Sequence, residues 1–289
     1  MVSEAVSKAV LITGCSSGIG HATAEHLAGK GWKVYATARR PESLGDLAER
    51  GCQTLALDVT DDASMGAAVT AVEEAEGGVG VLVNNAGYSQ SGAVETVPLA
   101  VVRAQFETNV FGLVRMCQLV LPGMRRQGWG RIVNVSSMGG RLTFPGGGFY
   151  HGTKHAVEAI SDALRFEVRG FGVGVAIIEP GLITTRFGET AAGSLDEAAA
   201  GNGHDPYSSF NATVGAATVD AYEGPMARLG GGPETVAKAI ERAISARRPK
   251  TRYKVTPSAH LIMALRRLLT DRAWDGFLRR QFPSPGHQP

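Results

Sequence analysis

Hydrophobic and polar positions follow two alternating patterns along the first two-thirds of the chain. Short continuous apolar runs, which suit strands buried on both faces of a parallel sheet, alternate with segments whose apolar residues recur at helical spacing. The runs predict strands at residues 8–13, 33–38, 53–57, 79–83, 131–135, 173–178 and 251–255. The helical segments are residues 21–30, 62–76, 101–124, 149–169 and 233–247, and Pro41 opens a further short helix. This order predicts an α/β fold: a doubly wound, mostly parallel seven-stranded sheet with helices on both faces.

The chain shows neither an internal repeat nor a linker, so residues 1–289 are predicted to form a single domain. Residues 182–232 break the alternation, and we expect them to form a lid over a site. The tail, about 258–282, places apolar residues beside arginines in LIMALRRLL and RAWDGFLRR. We expect it to pack as an amphipathic helix on its own domain or on a partner subunit, with a membrane-surface helix as the less favoured alternative.

Composition excludes several classes of protein. Hydrophobic residues make up 44% and charged residues 19%, which predicts a packed core. The 29 basic and 27 acidic residues give a net charge of +2, which argues against nucleic acid as the main partner. Neither a membrane span nor a secretory signal is visible. Three scattered cysteines, Cys15, Cys52 and Cys117, indicate neither a disulfide framework nor a metal site, and they favour a cytoplasmic location.

A glycine-rich segment, TGCSSGIG at residues 13–20, stands between the first predicted strand and the first predicted helix. Glycines there let the backbone approach a pyrophosphate, and the helix N-terminus supplies unpaired N–H groups. The spacing is wider than in G-x-G-x-x-G, so an ordinary strand-to-helix turn is the alternative. The candidate phosphate-binding residues are Gly14, Ser16, Ser17, Gly18, Ile19 and Gly20.

Five motifs in order carry a resemblance to a known family. TGCSSGIG is followed by NNAG at residues 84–87, then by Asn109, Ser137 and the pair Tyr150 and Lys154 in YHGTK. Their order and spacing resemble those of the classical short-chain dehydrogenases/reductases over about residues 8–185. The resemblance implies a Rossmann-type fold with a cofactor-binding part at about 8–180, an oxidoreductase activity, and homodimers or homotetramers. GCSS and YATAR are similar to the steroid- and retinoid-type branch of that family.

The nicotinamide cofactor is predicted to be NADP. The acidic residue that holds the ribose of NAD stands about 20 positions beyond the glycine motif, and here Arg39 and Arg40 occupy that place. Arginine binds a 2′-phosphate through its fork of N–H groups, and Ser16 can add a hydroxyl donor. The alternative is that both arginines are solvated surface charges.

The resemblance implies further contacts to the cofactor. Asp58 matches the position that contacts the adenine amino group, with a helix N-cap as its other role. NNAG is expected to stabilise the sheet and to line the ribose, and the segment after the sixth strand is expected to reach the carboxamide. These additional cofactor-binding residues are Asp58, Val59, Asn85, Ala86, Gly87, Pro180, Gly181, Ile183 and Thr185, together with Tyr150 and Lys154.

Tyr150 and Lys154 stand four residues apart on a predicted helix, so they share a face. A lysine ammonium and the positive nicotinamide ring should lower the phenol pKa from about 10, which suits general acid–base catalysis. Ser137 should hold the substrate oxygen, with Ser136 as its rival. The resemblance assigns Asn109 a water in a proton relay with the lysine. The flanking His151 and His155 are expected on the helix surface.

The substrate pocket should lie at the carboxyl ends of the strands. Its candidate residues are Ser137, Leu142, Phe144, Phe149, Tyr150, Leu182 and Phe187. Its leucines and phenylalanines make the pocket apolar, which favours a lipophilic ketone or secondary alcohol, either steroid- or retinoid-like or another hydrophobic carbonyl. Tyr207, Phe210, Tyr222 and Met226 should either close the lid or pack a minor core.

Other functions fit the motifs less well. A non-catalytic NAD(P) sensor on the same fold should lack the tyrosine or the lysine, and this chain has both. An epimerase or dehydratase of the related extended family carries a differently spaced glycine motif and a larger C-terminal domain. An NAD-preferring alcohol dehydrogenase remains the alternative to an NADP enzyme.

Overall fold

A computed structural model describes residues 6–185, 206–282 and 284–285 of the chain. Seven strands form one sheet in the order β3-β2-β1-β4-β5-β6-β7, and every neighbouring pair is parallel. The strands are β1 (Val10–Ile12), β2 (Val34–Ala38), β3 (Gln53–Ala56), β4 (Val81–Asn84), β5 (Gly130–Val135), β6 (Val173–Pro180) and β7 (Arg252–Val255). The predicted fold class is confirmed.

Helices cover both faces of the sheet and its C-terminal edge. They are α1 (Gly18–Gly29), α2 (Gly45–Glu49), α3 (Asp62–Glu76), α4 (Leu99–Phe106), α5 (Gly112–Arg126), α6 (Gly148–Val168), α7 (Ser208–Glu223), α8 (Pro233–Ser245), α9 (Pro257–Leu268) and α10 (Asp271–Leu278). Short 3₁₀ turns stand at Pro41–Leu44 and Met138–Gly140. No helix among the described residues combines the length and hydropathy needed to cross a membrane.

The sheet is buried on both sides, which explains why its strands are continuous apolar runs. Val10 and Ile12 of β1 belong to a core cluster on one face, and Leu11 between them belongs to the cluster on the other. All three side chains are fully buried. Alternate residues of one strand therefore face two layers of helices, as a doubly wound sheet requires.

The predicted helix over residues 101–124 is in fact two helices. A π-helical turn, Glu107–Phe111, separates α4 from α5 and carries Asn109. At Gly112 the chain runs so close to the segment after β3 that an added Cβ would lie 2.3 Å from the Val59 carbonyl oxygen. A π turn shifts the register of the side chains that follow it, and such turns recur at functional sites.

The tail forms two helices, α9 and α10, which pack on their own chain. Ala259, Met263 and Trp274 join Leu142 in a third apolar cluster at the C-terminal edge of the sheet. The tail therefore packs on its own domain, one of the two arrangements in the favoured interpretation, and this buries part of its apolar face. The segment predicted as a lid contains α7, while residues 186–205, including the substrate candidate Phe187, lie outside the described residues.

Candidate active site

A cavity of about 1430 Å³ lies at the carboxyl edge of the sheet. It runs from the glycine-rich loop past the ends of β4, β5 and β6 to the inner faces of α7, α9 and α10. Most of the residues proposed from the sequence line it. They are Gly14, Ser16, Ser17, Gly18, Ile19, Arg39, Asp58, Val59, Asn85, Ala86, Gly87, Ser137, Phe144, Tyr150, Lys154, Pro180, Gly181, Leu182, Ile183 and Thr185.

The glycine-rich loop has the form of a phosphate cradle. Gly14 and Gly18 have φ of +73° and +61°, a backbone region that side chains disfavour. A Cβ at Gly14 would lie 2.9 Å from the Cα of Ala86. Ser17 occupies the N-cap of α1 without a side-chain capping bond, and the first turn carries no acidic residue. The N-terminus of α1 is thus free to bind an anion, and these residues fit the pyrophosphate of a dinucleotide.

Asn85 fixes the loop from the neighbouring strand. Its Nδ2 donates to the carbonyl oxygens of Thr13 at 3.0 Å and Gly14 at 2.9 Å. Gly20 is buried and does not line the cavity. An added Cβ there would lie 2.3 Å from the Gly14 oxygen and 2.4 Å from Asn85 Nδ2. Gly20 therefore lets the helix, the loop and the amide of Asn85 meet.

The two arginines proposed to bind the 2′-phosphate differ in their position relative to the cavity. Both are exposed, but Arg39 lines the cavity and Arg40 lies outside its wall. They are consecutive residues at the point where β2 ends, so they project in different directions. Only Arg39 is positioned at the cavity in this structure.

Asp58 lines the cavity but does not cap a helix. Its Oδ1 accepts hydrogen bonds from the backbone N of Thr60 at 2.9 Å and from its hydroxyl at 2.8 Å. The N-cap of α3 is Asp61, whose carboxylate accepts from Ala63 N at 3.0 Å. The N-cap role considered for Asp58 is therefore wrong.

Tyr150 and Lys154 share a face of α6, as their spacing predicts. Lys154 Nζ lies 5.8 Å from the centre of the Tyr150 ring and donates to the Val135 carbonyl oxygen at 2.9 Å. The phenol of Tyr150 is hydrogen-bonded to Ser137. Ser137 in turn accepts from Gly139 N at 3.0 Å. Ser136, its rival, is buried at the end of β5 beside Gly140.

Burial dominates the ionisation of the pair. It raises the pKa of Tyr150 well above 10, and the hydrogen bond from Ser137 only partly opposes this. Burial lowers the pKa of Lys154 to about 8, against the attraction of Glu158. The expected lowering of the phenol pKa is thus not a property of the chain alone, because loss of solvation outweighs the hydrogen bond from Ser137. Tyr150 is a protonated phenol at neutral pH.

Asn109 clamps the segment that follows β4. Its Nδ2 donates to the Tyr88 carbonyl oxygen at 2.9 Å, and its Oδ1 accepts from Tyr88 N at 3.1 Å. A Cβ at Gly87 would lie 3.1 Å from Asn109 Oδ1 and 3.7 Å from Lys154 Nζ. The amide and the ammonium therefore flank the same glycine. The water relay stays a prediction.

The segment after β6 bends back to the glycine-rich loop. A Cβ at Gly18 would lie 3.5 Å from Cγ2 of Thr185. A Cβ at Gly181 would lie 2.4 Å from Ser258 Oγ, which also accepts from the backbone N of Leu182 at 3.0 Å. This stretch therefore runs along the cavity wall, anchored by the start of α9.

Some of the proposed substrate-binding residues line the cavity and others do not. Phe144 and Leu182 line the cavity, whereas Leu142 is turned into the tail cluster with 2% exposure. Phe149 is half-buried at the start of α6 and lies outside the cavity wall. Neither Leu142 nor Phe149 is therefore positioned to meet a ligand there.

The segment predicted as a lid and the tail both supply apolar wall to the cavity, and sequence reasoning assigned only the first of them to the site. Tyr222 and Met226 line the cavity, whereas Tyr207 and Phe210 pack edge to face on each other with centroids 6.5 Å apart. The tail residues in the wall are Leu261, Ile262, Leu265, Phe277, Gln281 and Phe282. Their only signal in the sequence is the helical spacing of the apolar face.

His151 contradicts its expected place on the helix surface. It is 8% exposed and lines the cavity beside Tyr150. His155, one turn later, is exposed. The glycines at residues 139 and 147 leave room for the His151 ring.

Comparison with known proteins decides the family. A family model described as short chain dehydrogenase matches residues 8–194. The chain belongs to the short-chain dehydrogenase/reductase family. As such it is an oxidoreductase of a family that binds a nicotinamide cofactor.

Two curated members are similar over most of this short-chain dehydrogenase/reductase. A 3-ketodihydrosphingosine reductase of Bacteroides thetaiotaomicron is 36% identical over 88% of this chain and 90% of its own. An NADPH-dependent 3-dehydrocapnine reductase of Ornithobacterium rhinotracheale is 36% identical over 92% and 94%. The crystal structure of a short-chain dehydrogenase from Streptomyces avermitilis is 32% identical, covers 95% of this chain and 98% of its own, and has a TM-score of 0.73. The steroid- and retinoid-type branch stays a prediction.

Proposed function

We propose that this protein is an NADP(H)-dependent reductase of lipophilic ketones that uses Tyr150 as its proton donor. The observation that carries the proposal is the continuity of one cavity. Its inner end holds Tyr150, Ser137 and Lys154, and its outer end is walled by apolar side chains of α9 and α10. A ketone with a long hydrocarbon chain would bury that chain against this wall while its carbonyl meets the phenol.

Each polar residue at the inner end has a task in this reaction. The nicotinamide, when bound, supplies the hydride. Tyr150 remains protonated in the buried site and donates its proton to the carbonyl oxygen. Ser137 orients that oxygen through its hydroxyl. Lys154, held by the Val135 carbonyl, binds the nicotinamide ribose and restores the tyrosine proton. Asn109 keeps the backbone at Tyr88 in place beside the lysine.

Two observations support NADP(H) as the cofactor. Arg39 stands exposed at the cavity, where it can bind a 2′-phosphate with its planar fork of donors. One relative is named as NADPH-dependent. Both relatives are named as reductases of 3-keto or 3-dehydro compounds, which supports a ketone as the substrate here.

Substitutions in the outer cavity wall test whether it binds the hydrocarbon chain of the substrate. Leu265 lines the cavity on α9, while Leu268 on the same helix is 83% exposed. With NADPH, we expect the wild-type kcat/KM to rise with chain length from methyl 3-oxobutanoate to methyl 3-oxododecanoate. Leu265→Trp should lower kcat/KM for the dodecanoate about 10-fold or more and leave the butanoate within about 2-fold, because the indole fills space that only the long chain needs.

Leu268→Trp is the matched control, and its chain-length profile should equal that of the wild type. A wild-type profile that is flat with chain length would contradict a lipophilic substrate. Equal losses of kcat/KM for the short and the long ester in Leu265→Trp would also contradict a lipophilic substrate.

A further inference from the structure

The imidazole of His151 lies beside the reacting phenol, and no step of the proposed reaction uses it. Its ring centre lies 5.6 Å from that of Tyr150 and 6.1 Å from that of Phe144. The side chain is 8% exposed, and it forms part of the cavity wall. A polar ring buried at this point needs a physical reason, since burying it removes its hydrogen bonds to water.

Two glycines hold the ring in one orientation. A Cβ at Gly139 would lie 2.4 Å from His151 Cδ2, and a Cβ at Gly147 would lie 2.6 Å from Cε1. Both distances are shorter than atoms tolerate, so a side chain at either position would displace the ring. The ring therefore occupies a slot that only these glycines leave open, and the direction of its Nε2 is set.

The hydrogen bonds of the ring set its proton on Nε2. Its Nδ1 accepts from the backbone N–H of Phe144 at 3.3 Å, so a neutral ring carries its proton on Nε2. Burial, with a smaller effect of His155, lowers the pKa of His151 to about 4, so the ring is neutral at neutral pH. Nε2–H has no hydrogen-bond partner among the described residues. A donor in the cavity wall that has no protein partner gains a hydrogen bond when a ligand accepts from it.

The space in front of Nε2 adjoins the carbonyl position. The point that a Cβ of Gly139 would take lies 3.0 Å from His151 Nε2 and 3.4 Å from Ser137 Oγ. Ser137 is hydrogen-bonded to Tyr150 and holds the carbonyl oxygen in the proposed reaction. A substituent bonded close to the reacting carbonyl therefore comes within reach of Nε2–H.

We infer that His151 determines specificity by donating a hydrogen bond from Nε2 to an oxygen of the substrate one or two carbons from the ketone. The inference rests on the proposed ketone reduction and narrows it to oxygen-substituted ketones, of which 3-oxo esters are the simplest. His151 transfers no proton in this role. It holds the polar side of the substrate while the hydrocarbon chain runs toward α9 and α10.

The test compares two ketones of equal chain length with NADPH. Methyl 3-oxooctanoate carries an ester oxygen within reach of Nε2, and decan-5-one replaces that ester by methylene groups. The ratio of their kcat/KM values is measured in the wild type, His151→Leu, His151→Gln and His155→Leu. Since both substrates are assayed on one preparation, the ratio does not depend on how much of a variant is folded.

We expect His151→Leu to lower the ratio of kcat/KM for methyl 3-oxooctanoate to kcat/KM for decan-5-one about 10-fold, because one hydrogen bond to the ester is lost. His151→Gln keeps an N–H donor and should retain more of the ratio than His151→Leu. His155→Leu, an exposed control on the same helix, should leave the ratio unchanged. An unchanged ratio in His151→Leu would overturn the inference and leave the proposed reduction standing. If the wild type reduced neither ketone, the proposed function would fail and the inference with it.

Discussion

At the scale of single residues, spacing along a helix predicts more than position in a loop. Tyr150 and Lys154 share a face because they stand four residues apart on a regular helix. Arg39 directly follows β2 and Leu142 follows the 3₁₀ turn Met138–Gly140, and in such irregular segments one backbone angle decides where a side chain points. The sequence alone therefore could not separate Arg39 from Arg40, nor foresee that Leu142 packs under the tail.

The separation of the two arginines leads to a prediction about cofactor preference. Arg39→Asp should lower kcat/KM for NADPH by about 10²-fold or more, because a carboxylate repels the 2′-phosphate. It should raise kcat/KM for NADH, because the carboxylate accepts a hydrogen bond from a ribose hydroxyl. Arg40→Asp, the neighbouring exposed control, should have a much smaller effect. The measurement is kcat/KM for both cofactors at one saturating ketone concentration. Equal effects of the two substitutions would contradict the prediction that Arg39, and not Arg40, binds the 2′-phosphate.

At the scale of elements, hydrophobic periodicity predicted the strands and most helices, and it failed where glycine or a π turn intervenes. The helix α1 begins at Gly18, three residues before the prediction, because the glycine-rich loop itself forms the first turn. A π turn interrupts the long helix around Asn109, but the apolar residues before it and after it each keep helical spacing, so the sequence shows one continuous helix. Hydrophobic periodicity indicates which face of a helix is buried. The one extra residue of a π turn changes that pattern too little to be recognised in the sequence.

The contact between α1 and the loop predicts an effect of one methyl group. Gly20→Ala should raise the Kd of NADPH about 10-fold or more, because its Cβ would meet the Gly14 carbonyl and the Asn85 amide that shape the loop. Gly29→Ala on the same helix meets nothing within 4 Å and should leave the Kd unchanged. Fluorescence titration with NADPH measures both. Equal affinities would contradict the structural role given to Gly20.

At the scale of the whole molecule, a charge cluster that contains two buried carboxylates, Glu158 and Glu179, joins α6, β6 and β7. Arg252 Nη2 donates to Asp162 at 2.7 Å, and its Nε donates to Glu158 at 2.9 Å and lies 3.3 Å from Glu179. Three carboxylates thus face one guanidinium. Burial, and then repulsion by Glu158, raises the pKa of the fully buried Glu179 to about 7. Sequence patterns could not reveal this, because the three elements are distant along the chain.

This cluster predicts how the stability of the protein depends on pH. Between the unfolded pKa of 4.5 and about 7, the folded state holds a proton on Glu179 that the unfolded state releases. Stability from this group therefore falls as pH rises through that window. Glu179→Gln removes the penalty, so its Tm relative to wild type should rise by about 5 °C between pH 5 and pH 8, on the order of 2 kcal/mol.

Glu167→Gln, at an exposed position of α6, is the control for that experiment. Its difference in Tm from the wild type should stay constant over the same range of pH. A constant difference for Glu179→Gln as well would mean that Glu179 is ionised in the folded protein at pH 5.

Tyr150→Phe tests most directly the proposal that the phenol of Tyr150 donates the proton during ketone reduction. The variant keeps the ring and loses only the hydroxyl that is hydrogen-bonded to Ser137. Single-turnover oxidation of bound NADPH by methyl 3-oxooctanoate should slow by about 10²–10⁴-fold, with the Kd of NADPH within about 3-fold of the wild-type value. A turnover rate near that of the wild type would contradict the account.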